Sequence, residues 1–410
     1  MINVPFNSID KTIIESLLWN EVREDRTLEY KVLLPGNGRE DRKEFLADIT
    51  AFANAAGGDI VFGVKEKREN NRPTGPPESI PGLAGINADA DVLRLENMIR
   101  DGVEPRISGL QFKPIDGFPS GPVIILRIPK SWSSPHMVKL GDSRFYSRNN
   151  AGKYALDVVQ IRSAFAFSES LPERVRRFRE ERIARIVAEE TPIVLLSEHA
   201  KVVLHLVPIA ALDPTTRLNM APLRYQTEKL QPINANQWNN RHNLDGFLTY
   251  GGHGNPQTPM TYLQIFWSGA IEAVESMLLE YNNIHARDSG TEPQNLISTI
   301  AIERILIVAL DKFLKVEQEL GMEPPVFIML SLVGVKGYGI LSEWTLYEDM
   351  YRFDRDTLLL PDTIMESYDE PADKLLRPAL DAMWQAAGYE CCRHYKEGRW
   401  MYDQGRSPLP

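Results

Sequence analysis

The stretch that decides the fold of the N-terminal region runs from Phe52 to Val64 and reads FANAAGGDIVFGV. It predicts a buried helix that ends at Gly57 and Gly58 and continues as a strand. Glycine adopts positive φ without a Cβ penalty, so it allows a sharp reversal where a helix ends. In the strand, alternation places Ile60, Phe62 and Val64 on one face and Asp59, Val61, Gly63 and Lys65 on the other.

A second alternating strand precedes this helix–turn–strand unit. The segment LEYK at 28–31 places Leu28 and Tyr30 on one face and Glu29 and Lys31 on the other. An acid and a lysine two residues apart on one strand face indicate either a salt-bridged surface or an active site.

Taken in order, LEYK and FANAAGGDIVFGV resemble the Schlafen-type Alba-like domain, a bacterial family often described as ATP-binding or DNA-binding. Two later segments support the resemblance, VIILRIP at 123–129 and RFYSR at 144–148. It extends from about residue 15 to about residue 167 and therefore concerns the N-terminal part alone.

Helices and hairpin-like strands follow one another irregularly in this part, which favours an α+β fold. The predicted helices cover 8–20 (capped by Ser8), 42–56, 89–100 and 157–167, and the predicted strands cover 107–114, 122–128 and 144–147. A polar loop is expected at 65–81. We predict a Schlafen-type domain at 1–168, a charged helical linker at 169–191 and an acidic α/β or α+β domain of unknown role at 192–410.

The size and composition are those of an ordinary globular protein, because 410 residues with 43% apolar side chains suffice for two cores. No apolar stretch approaches the ~20 residues that a membrane helix needs, and no secretory signal pattern opens the chain. Cys391 and Cys392 are adjacent, so an unstrained disulfide between them is rare, and two cysteines alone cannot form a zinc site. We expect the protein to reside in a reducing cytoplasm. A homo-oligomer is one state that the sequence allows.

Charge is divided unevenly along the chain, whose net charge is −10. Residues 1–168 carry 22 basic and 22 acidic side chains, whereas residues 169–410 carry 24 and 34. Within the first part, residues 127–153 hold six basic side chains against one acid. A global charge says little about a local patch, so this segment favours a nucleic-acid partner.

Basic and aromatic side chains alternate within this patch, and such strands bind phosphates and stack on bases. Arg144, Tyr146 and Arg148 are expected to share one exposed face. The alternative is a solvated strand edge that its charges protect from aggregation. The candidate nucleic-acid-binding residues are Arg127, His136, Arg144, Tyr146, Arg148 and Lys153.

The family resemblance implies a nuclease site in which two glutamates and an aspartate hold a divalent metal. The first two acids of that site stand five residues apart, as Glu24 and Glu29 do, with Lys31 following. Carboxylates bind Mg²⁺ or Mn²⁺, which polarises a phosphate and lowers the pKa of an attacking water, and a lysine neutralises developing charge. The alternative is that these acids only form an acidic helix end.

The third acid of the family pattern falls on Lys65, and Glu66 comes next. One residue of offset turns a strand side chain to the opposite face, so Glu66 would reach the metal only at a bulge or at the strand's end. Asp59 shares the face of Lys65 but lies ~20 Å away at ~3.3 Å per residue. The predicted catalytic residues are Glu24, Glu29, Lys31 and Glu66, with Glu24 and Glu29 as metal ligands.

The resemblance thus implies a metal-dependent endonuclease acting on structured RNA such as tRNA, or on single-stranded nucleic acid, with RNA favoured over DNA. A role in defence against phage would suit it in a bacterium. The alternatives are a non-catalytic nucleic-acid-binding or regulatory protein, and an acidic C-terminal domain that senses a ligand and restrains the N-terminal one. ATP binding is weaker, because the chain has no phosphate-binding loop and GVKGYG at 334–339 fits a plain turn.

Overall fold

The structure of the chain is a computed structural model. It describes residues 2, 4, 6–69, 72–141, 143–150, 152–195, 199–213, 216–225, 227–252, 259–288, 292, 294–341 and 351–402. The chain divides into two compact units, one of Met1–Pro172 with Glu323–Pro325 and the other of Glu173–Met322 with Val326–Pro410. Both contain helices and strands, so the fold class is α+β, as predicted.

The N-terminal unit begins with a short helix and a strand, and the Phe52–Val64 stretch lies across its second helix and second strand. Its elements are α1 Lys11–Trp19, β1 Leu28–Lys31, α2 Arg39–Asn54, β2 Gly58–Phe62, β3 Lys65–Glu69, β4 Arg72–Ser79, α3 Ala88–Gly102, β5 Val103–Glu104, β6 Gln111–Phe118, β7 Gly121–Ile128, β8 Met137–Val138, β9 Arg144–Asn149, β10 Gly152–Ala155 and the start of α4 Val158–Val187.

These strands form two four-stranded sheets and a separate hairpin. The first sheet has the order β1-β2-β7-β6, in which β1 and β2 are parallel and the other pairs antiparallel. The parallel pair requires a crossover, and α2 provides it. The second sheet has the order β10-β9-β8-β5, and β3 pairs with β4 alone.

Strand β2 of the first sheet is buried along its whole length, so the face that alternation assigned to Asp59 and Val61 lies in the core as well. Ile60 and Phe62 pack with α2 and α3, whereas Val61 packs with α1 on the other side. Asp59 is also buried, and Arg127 of β7 pairs with it at 2.8 Å. Because helices cover both faces, apolar residues fill both sets of alternating positions.

The predicted continuation of β2 to Lys65 is wrong, because β2 ends at Phe62. Gly63 has a φ of +95°, which turns the chain, and Val64 then packs in the cluster of Val61 instead of that of Ile60. The following segment, predicted as a polar loop, forms the β3–β4 hairpin. Lys65 and Glu66 therefore belong to a separate hairpin.

The helices predicted at 8–20, 42–56, 89–100 and 157–167 are all present with different bounds, and two of the differences are informative. The cap of α1 is Asp10 and not Ser8, because Asp10 Oδ1 accepts a hydrogen bond from the amide of Ile13 at 3.0 Å. The helix predicted at 157–167 and the charged linker helix are one continuous element, α4, which contains Pro172.

The C-terminal unit is built on an antiparallel sheet of eight strands, ordered β12-β13-β14-β15-β11-β17-β19, with β20 also pairing with β17. Its elements are β11 Lys201–Pro208, β12 Gln237–His242, β13 Gly246–Gly252, β14 Thr261–Phe266, β15 Ile271–Glu275, α5 Tyr281–Asp288, β16 Leu296–Ser298, α6 Thr299–Glu319, β17 Val326–Val333, β18 Gly339–Leu341, β19 Thr357–Leu359, β20 Thr363–Met365, α7 Ala372–Ala386, β21 Tyr395–Lys396 and β22 Arg399–Trp400.

Several predictions for this unit are confirmed. The sequence pattern from residue 193 onward predicts strands at 200–207, 261–267 and 326–333 and a long helix near 298–320. They correspond to β11, β14, β17 and α6. The segment GVKGYG lies in the turn between β17 and β18, as expected. In the described part of the chain, no helix is both long enough and apolar enough to cross a membrane.

The turn at Gly57 provides a test of this fold. Gly57 has a φ of +72°, and a Cβ there would lie 2.7 Å from both the Ile128 carbonyl oxygen and the Lys130 amide nitrogen. We expect Gly57→Ala to lower the free energy of unfolding by about 2–4 kcal/mol, from backbone strain and the steric clash together. Urea denaturation of the full chain measures the change.

The matched control is Gly85→Ala, where φ is +68° but no atom lies within 4 Å of the added Cβ. We expect that substitution to cost about 1 kcal/mol, from backbone strain alone. Equal losses in the two variants would show that the close approach at Gly57 does not contribute.

Candidate functional site

Five charged side chains from four elements of the N-terminal unit form one ionic network. Glu29 and Lys31 come from β1, Asp48 from α2, Arg148 from β9 and Lys153 from β10. Lys31 Nζ lies 2.6 Å from Glu29 Oε1 and 3.1 Å from Asp48 Oδ2. Arg148 Nη1 donates to Glu29 Oε2 at 2.6 Å, and Lys153 Nζ donates to Asp48 Oδ1 at 2.7 Å. Positive and negative charges therefore alternate along the network.

The two outer cations are positioned by strand register. Arg148 and Lys153 are paired opposite each other in the β9–β10 hairpin, so both lie on the same face. The guanidinium carbon of Arg148 lies 3.8 Å from the centre of the Phe52 ring, a cation–π contact with α2. Burial of the Arg148 side chain is therefore compensated by an aromatic face and a carboxylate.

Asn54, in the fold-deciding stretch, connects α2 to the second sheet. Its Nδ2 donates to the carbonyls of His136 at 2.9 Å and Tyr146 at 2.8 Å, and its Oδ1 accepts from the His136 amide at 2.6 Å. These three bonds hold β9 against the end of α2. The strand that carries Arg148 is thereby fixed beside Glu29.

Asp48 is a site residue that the sequence reasoning missed. It is 2% exposed and lies in α2 among nine consecutive buried residues, from Phe45 to Ala53. A carboxylate inside so apolar a run is unusual unless cations pair with it. That isolated acid was the available signal, and Lys31 and Lys153 are its partners.

Glu24 and Glu66 lie beside each other because the β3–β4 hairpin reaches the start of β1. The Glu24 amide donates to the Gly75 carbonyl at 2.9 Å, and the Gly75 amide donates to Glu66 Oε1 at 2.8 Å. Glu24 Oε1 in turn accepts from the Tyr30 amide at 2.6 Å. Gly75 therefore connects the two glutamates through its own peptide groups.

The bulge that Glu66 required is present. The pairing of β3 with β4 is irregular on both sides of Glu66, between Lys65 and Glu66 and between Glu66 and Arg68. Lys65 pairs with the exposed Glu78 at 2.9 Å. The hairpin geometry, and not the face of β2, thus determines where Glu66 lies.

The carboxylates of this region differ in their tendency to ionise. Burial raises the pKa of Glu24 to about 7, and the charges of Glu66 and Glu29 add to the effect. Burial also opposes ionisation of Glu29, but Lys31 and Arg148 outweigh it and lower the pKa of that carboxyl. Burial and the charge of Glu29 raise the pKa of Asp48. Near neutral pH, Glu24 is therefore partly protonated, whereas Glu29 is ionised.

The carboxylates of Glu24, Glu29 and Glu66 are chemically suited to bind a hard cation. In this structure their oxygens do not surround a common metal position. Carboxylate oxygens are the ligands that Mg²⁺ and Mn²⁺ prefer. Both oxygens of Glu29 already contact cations, Lys31 and Arg148. Among the residues that the structure describes, Glu24, Glu29 and Glu66 do not form a group whose ligand atoms all lie within 4.8 Å of one another.

Two of the predicted nucleic-acid-binding residues are corrected by their burial. Arg127 is 3% exposed and binds both oxygens of Asp59, at 2.8 and 3.1 Å. His136 is fully buried, with Nδ1 2.7 Å from the Pro105 carbonyl oxygen. Neither side chain can reach a nucleic acid in this fold, so both predictions are wrong.

The predicted shared exposed face on β9 is also wrong. Arg144 is exposed, but Tyr146 is half-buried against the core and Arg148 is buried in the ionic network. Lys153 is partly exposed while it pairs with Asp48 and Glu44. Alternation predicts which side chains share a face of β9. It does not predict that α2 packs against that face and covers Tyr146 and Arg148.

Comparison with known proteins supports the family assignment. Residues 24–157 match the model of the Schlafen, AlbA_2 family, which confirms the family predicted for the N-terminal part. The matched range includes Glu24, Glu66 and the whole ionic network. No curated protein matches the chain.

Two solved structures are similar over part of the chain. The DIP2311 protein from Corynebacterium diphtheriae has 16% identity over 35% of this chain and 26% of its own, with a TM-score of 0.24. The N-terminal domain of a RecG-related protein from Nitrosomonas europaea has 17% identity over 33% of this chain and 86% of its own, with a TM-score of 0.24. The chain thus spans about a quarter of the DIP2311 protein.

The raised pKa of Glu24 predicts a pH-dependent stability. The folded state keeps the Glu24 proton up to about pH 7, whereas the usual pKa is 4.5, so the folded state binds more protons between these values. The contribution of Glu24 is therefore complete below about pH 4.5 and is lost as the pH rises through 7. We expect Glu24→Gln to remove about 1–2 kcal/mol of this pH dependence, a value reduced for partial exposure.

Urea denaturation at pH 5 and pH 8 measures that difference. Glu96→Gln, an exposed position on α3, is the matched control and should leave the pH dependence of the wild type unchanged. An identical pH dependence in wild type and Glu24→Gln would contradict the raised pKa.

Proposed function

We propose that the N-terminal unit is a metal-dependent endonuclease that cleaves structured RNA such as tRNA, or single-stranded nucleic acid. The observation that carries the proposal is the position of Glu66 near Glu24. The Gly75 amide donates to the Glu66 carboxylate, the Gly75 carbonyl accepts from the Glu24 backbone amide, and the charge of Glu66 contributes to the raised pKa of Glu24. This proximity supports Glu66 as the third acid, in place of the family position that Lys65 occupies in this chain. RNA is the favoured substrate, and a role in phage defence is part of the same proposal.

Glu24, Glu29 and Glu66 are the residues that would hold Mg²⁺ or Mn²⁺. Their mutual repulsion contributes to the raised pKa of Glu24, and a divalent cation would relieve it. When bound, the metal would polarise the scissile phosphate and lower the pKa of the attacking water. The donor set, which consists of oxygens, fits that class of cation.

The cations of the ionic network have separate roles in this proposal. Asp48 and Glu29 outweigh burial and raise the pKa of Lys31, so Lys31 remains protonated at neutral pH and can neutralise charge on the phosphate. Asp48 is a positioning residue in this proposal, because its carboxylate pairs with Lys31 and Lys153. Arg144, which is exposed on β9, and the partly exposed Lys153 would contact the nucleic-acid backbone.

One observation favours the alternative of a non-catalytic nucleic-acid-binding or regulatory protein. Both oxygens of Glu29 contact a cation at 2.6 Å, so a metal would have to displace Lys31 or Arg148. The burial of Arg127 and His136 removes predicted nucleic-acid contacts from both functions, whereas the neighbouring acids Glu24 and Glu66 are accounted for by the nuclease alone. We therefore place the nuclease first.

A cleavage assay separates the two functions. The full chain is incubated with tRNA or single-stranded DNA in Mn²⁺ or in EDTA, beside Glu29→Gln and Glu66→Gln. We expect metal-dependent cleavage by the wild type and at least about a 100-fold loss in each variant, because each removes a charged ligand. Circular dichroism of each variant checks that it is folded.

Lys65→Gln is the matched control, since Lys65 adjoins Glu66 but pairs with the exposed Glu78. It should cleave like the wild type. Retained binding without cleavage by the wild type would establish the alternative. Full activity of Glu66→Gln would show that Glu66 is not a catalytic residue. The third acid of the family pattern would then have no counterpart at this position.

A further inference from the structure

A second cluster of metal-binding side chains lies in the core of the C-terminal unit. Glu303 comes from α6, whereas Cys392 and His394 come from the segment between α7 and β21. One ligand atom from each, a carboxylate oxygen, the thiol sulfur and an imidazole nitrogen, lies within 4.8 Å of the other two. All three residues are buried, and Glu303 and His394 are fully so.

The carboxylate of Glu303 accepts four hydrogen bonds, two on each oxygen. Oε1 accepts from Trp384 Nε1 at 2.9 Å and from Cys392 Sγ at 3.5 Å. Oε2 accepts from His394 Nδ1 at 2.8 Å and from Trp400 Nε1 at 2.8 Å. An indole N–H can only donate, so the two tryptophans fix the orientation of the carboxylate. The thiol and the imidazole can instead lose a proton and become ligands.

The charge of Glu303 lacks a strong counter-charge. Burying an ionised carboxylate without a partner is costly. Within the described part of the chain, its ion-pair partner is His394, and no lysine or arginine pairs with it. A cation shared by Glu303, Cys392 and His394 would compensate this charge and would replace the hydrogen bonds that the thiol and the imidazole make to the carboxylate.

We propose that Glu303, Cys392 and His394 bind a divalent transition metal of the zinc class. Thiolate, imidazole and carboxylate are the ligands zinc takes in proteins, and its bond lengths place tetrahedral ligands roughly 3.5 Å apart. The Cys392 Sγ to Glu303 Oε1 distance is 3.5 Å, and the His394 contact would lengthen by about 0.7 Å to match. The indole donors of Trp384 and Trp400 supply the outer hydrogen bonds that orient a ligating carboxylate.

Bound metal would connect the C-terminal hairpin to α6. Cys392 and His394 directly precede β21, and β21 pairs with β22, which carries Trp400. The site is independent of the proposed nuclease function, because it lies in the other unit and uses a thiolate. Adjacent cysteines gave no hint of it, since Cys391 is outside the cluster and Glu303 lies far away in the sequence.

Metal analysis of the purified full chain tests the proposal directly. After dialysis we expect about one equivalent of zinc per chain. Replacement by Co²⁺ should produce a thiolate-to-cobalt charge-transfer band in the near ultraviolet, which Mg²⁺ or Mn²⁺ sites made of carboxylates cannot give. Trp400→Phe, which removes one donor to the carboxylate, should weaken binding about 10–100-fold.

The neighbouring cysteines provide a matched pair of variants. Cys392→Ser should lose the charge-transfer band, whereas Cys391→Ser should keep it together with the bound metal. A zinc chelator should lower the Tm of wild type and Cys391→Ser but leave that of Cys392→Ser unchanged. A folded wild-type chain that contains no metal and gives no cobalt band would overturn the proposal, as would equal loss in both cysteine variants.

Discussion

The hydrogen bonds of Asn54 are the interaction on which the N-terminal site depends. Its amide group fixes the backbone of His136 and of Tyr146 to the end of α2. Because Arg148 and Lys153 lie on the hairpin that begins with β9, their distances to the acids of β1 and α2 follow from this attachment. Asn54 is half-buried, and both its N–H groups and its oxygen are hydrogen-bonded, so the amide holds the second sheet in a fixed position against α2.

The ionic network of Glu29, Lys31, Asp48, Arg148 and Lys153 affects the pKa values of its members more than it affects the free energy of unfolding. Buried ion pairs gain Coulomb energy but lose solvation, so the net stabilisation is small while the loss of one partner is severe. Their effect here is to keep Glu29 charged, while burial makes Glu24 titrate near neutral pH. Groups whose environments push their pKa values apart are characteristic of functional sites.

The sequence predicted local elements well and side-chain partners poorly. Helix α2, strand β1 and three strands of the eight-stranded C-terminal sheet follow from periodicity, and the family of the N-terminal part follows from ordered motifs. The face of Glu66 could not be predicted, because Gly63 ends β2 and the hairpin then bulges. The basic patch was likewise overestimated, since linear charge density does not reveal that Arg127 is covered.

The sequence by itself determined the helix–turn–strand unit from Phe52 to Val64, because glycine conformation and alternation act within a few residues. Only the tertiary structure decided which charged groups meet. Glu24 meets Glu66 through a hairpin, and Glu303 meets Cys392 and His394 across the C-terminal unit. Such pairs depend on register and packing between elements that are distant in sequence, and no local pattern encodes them.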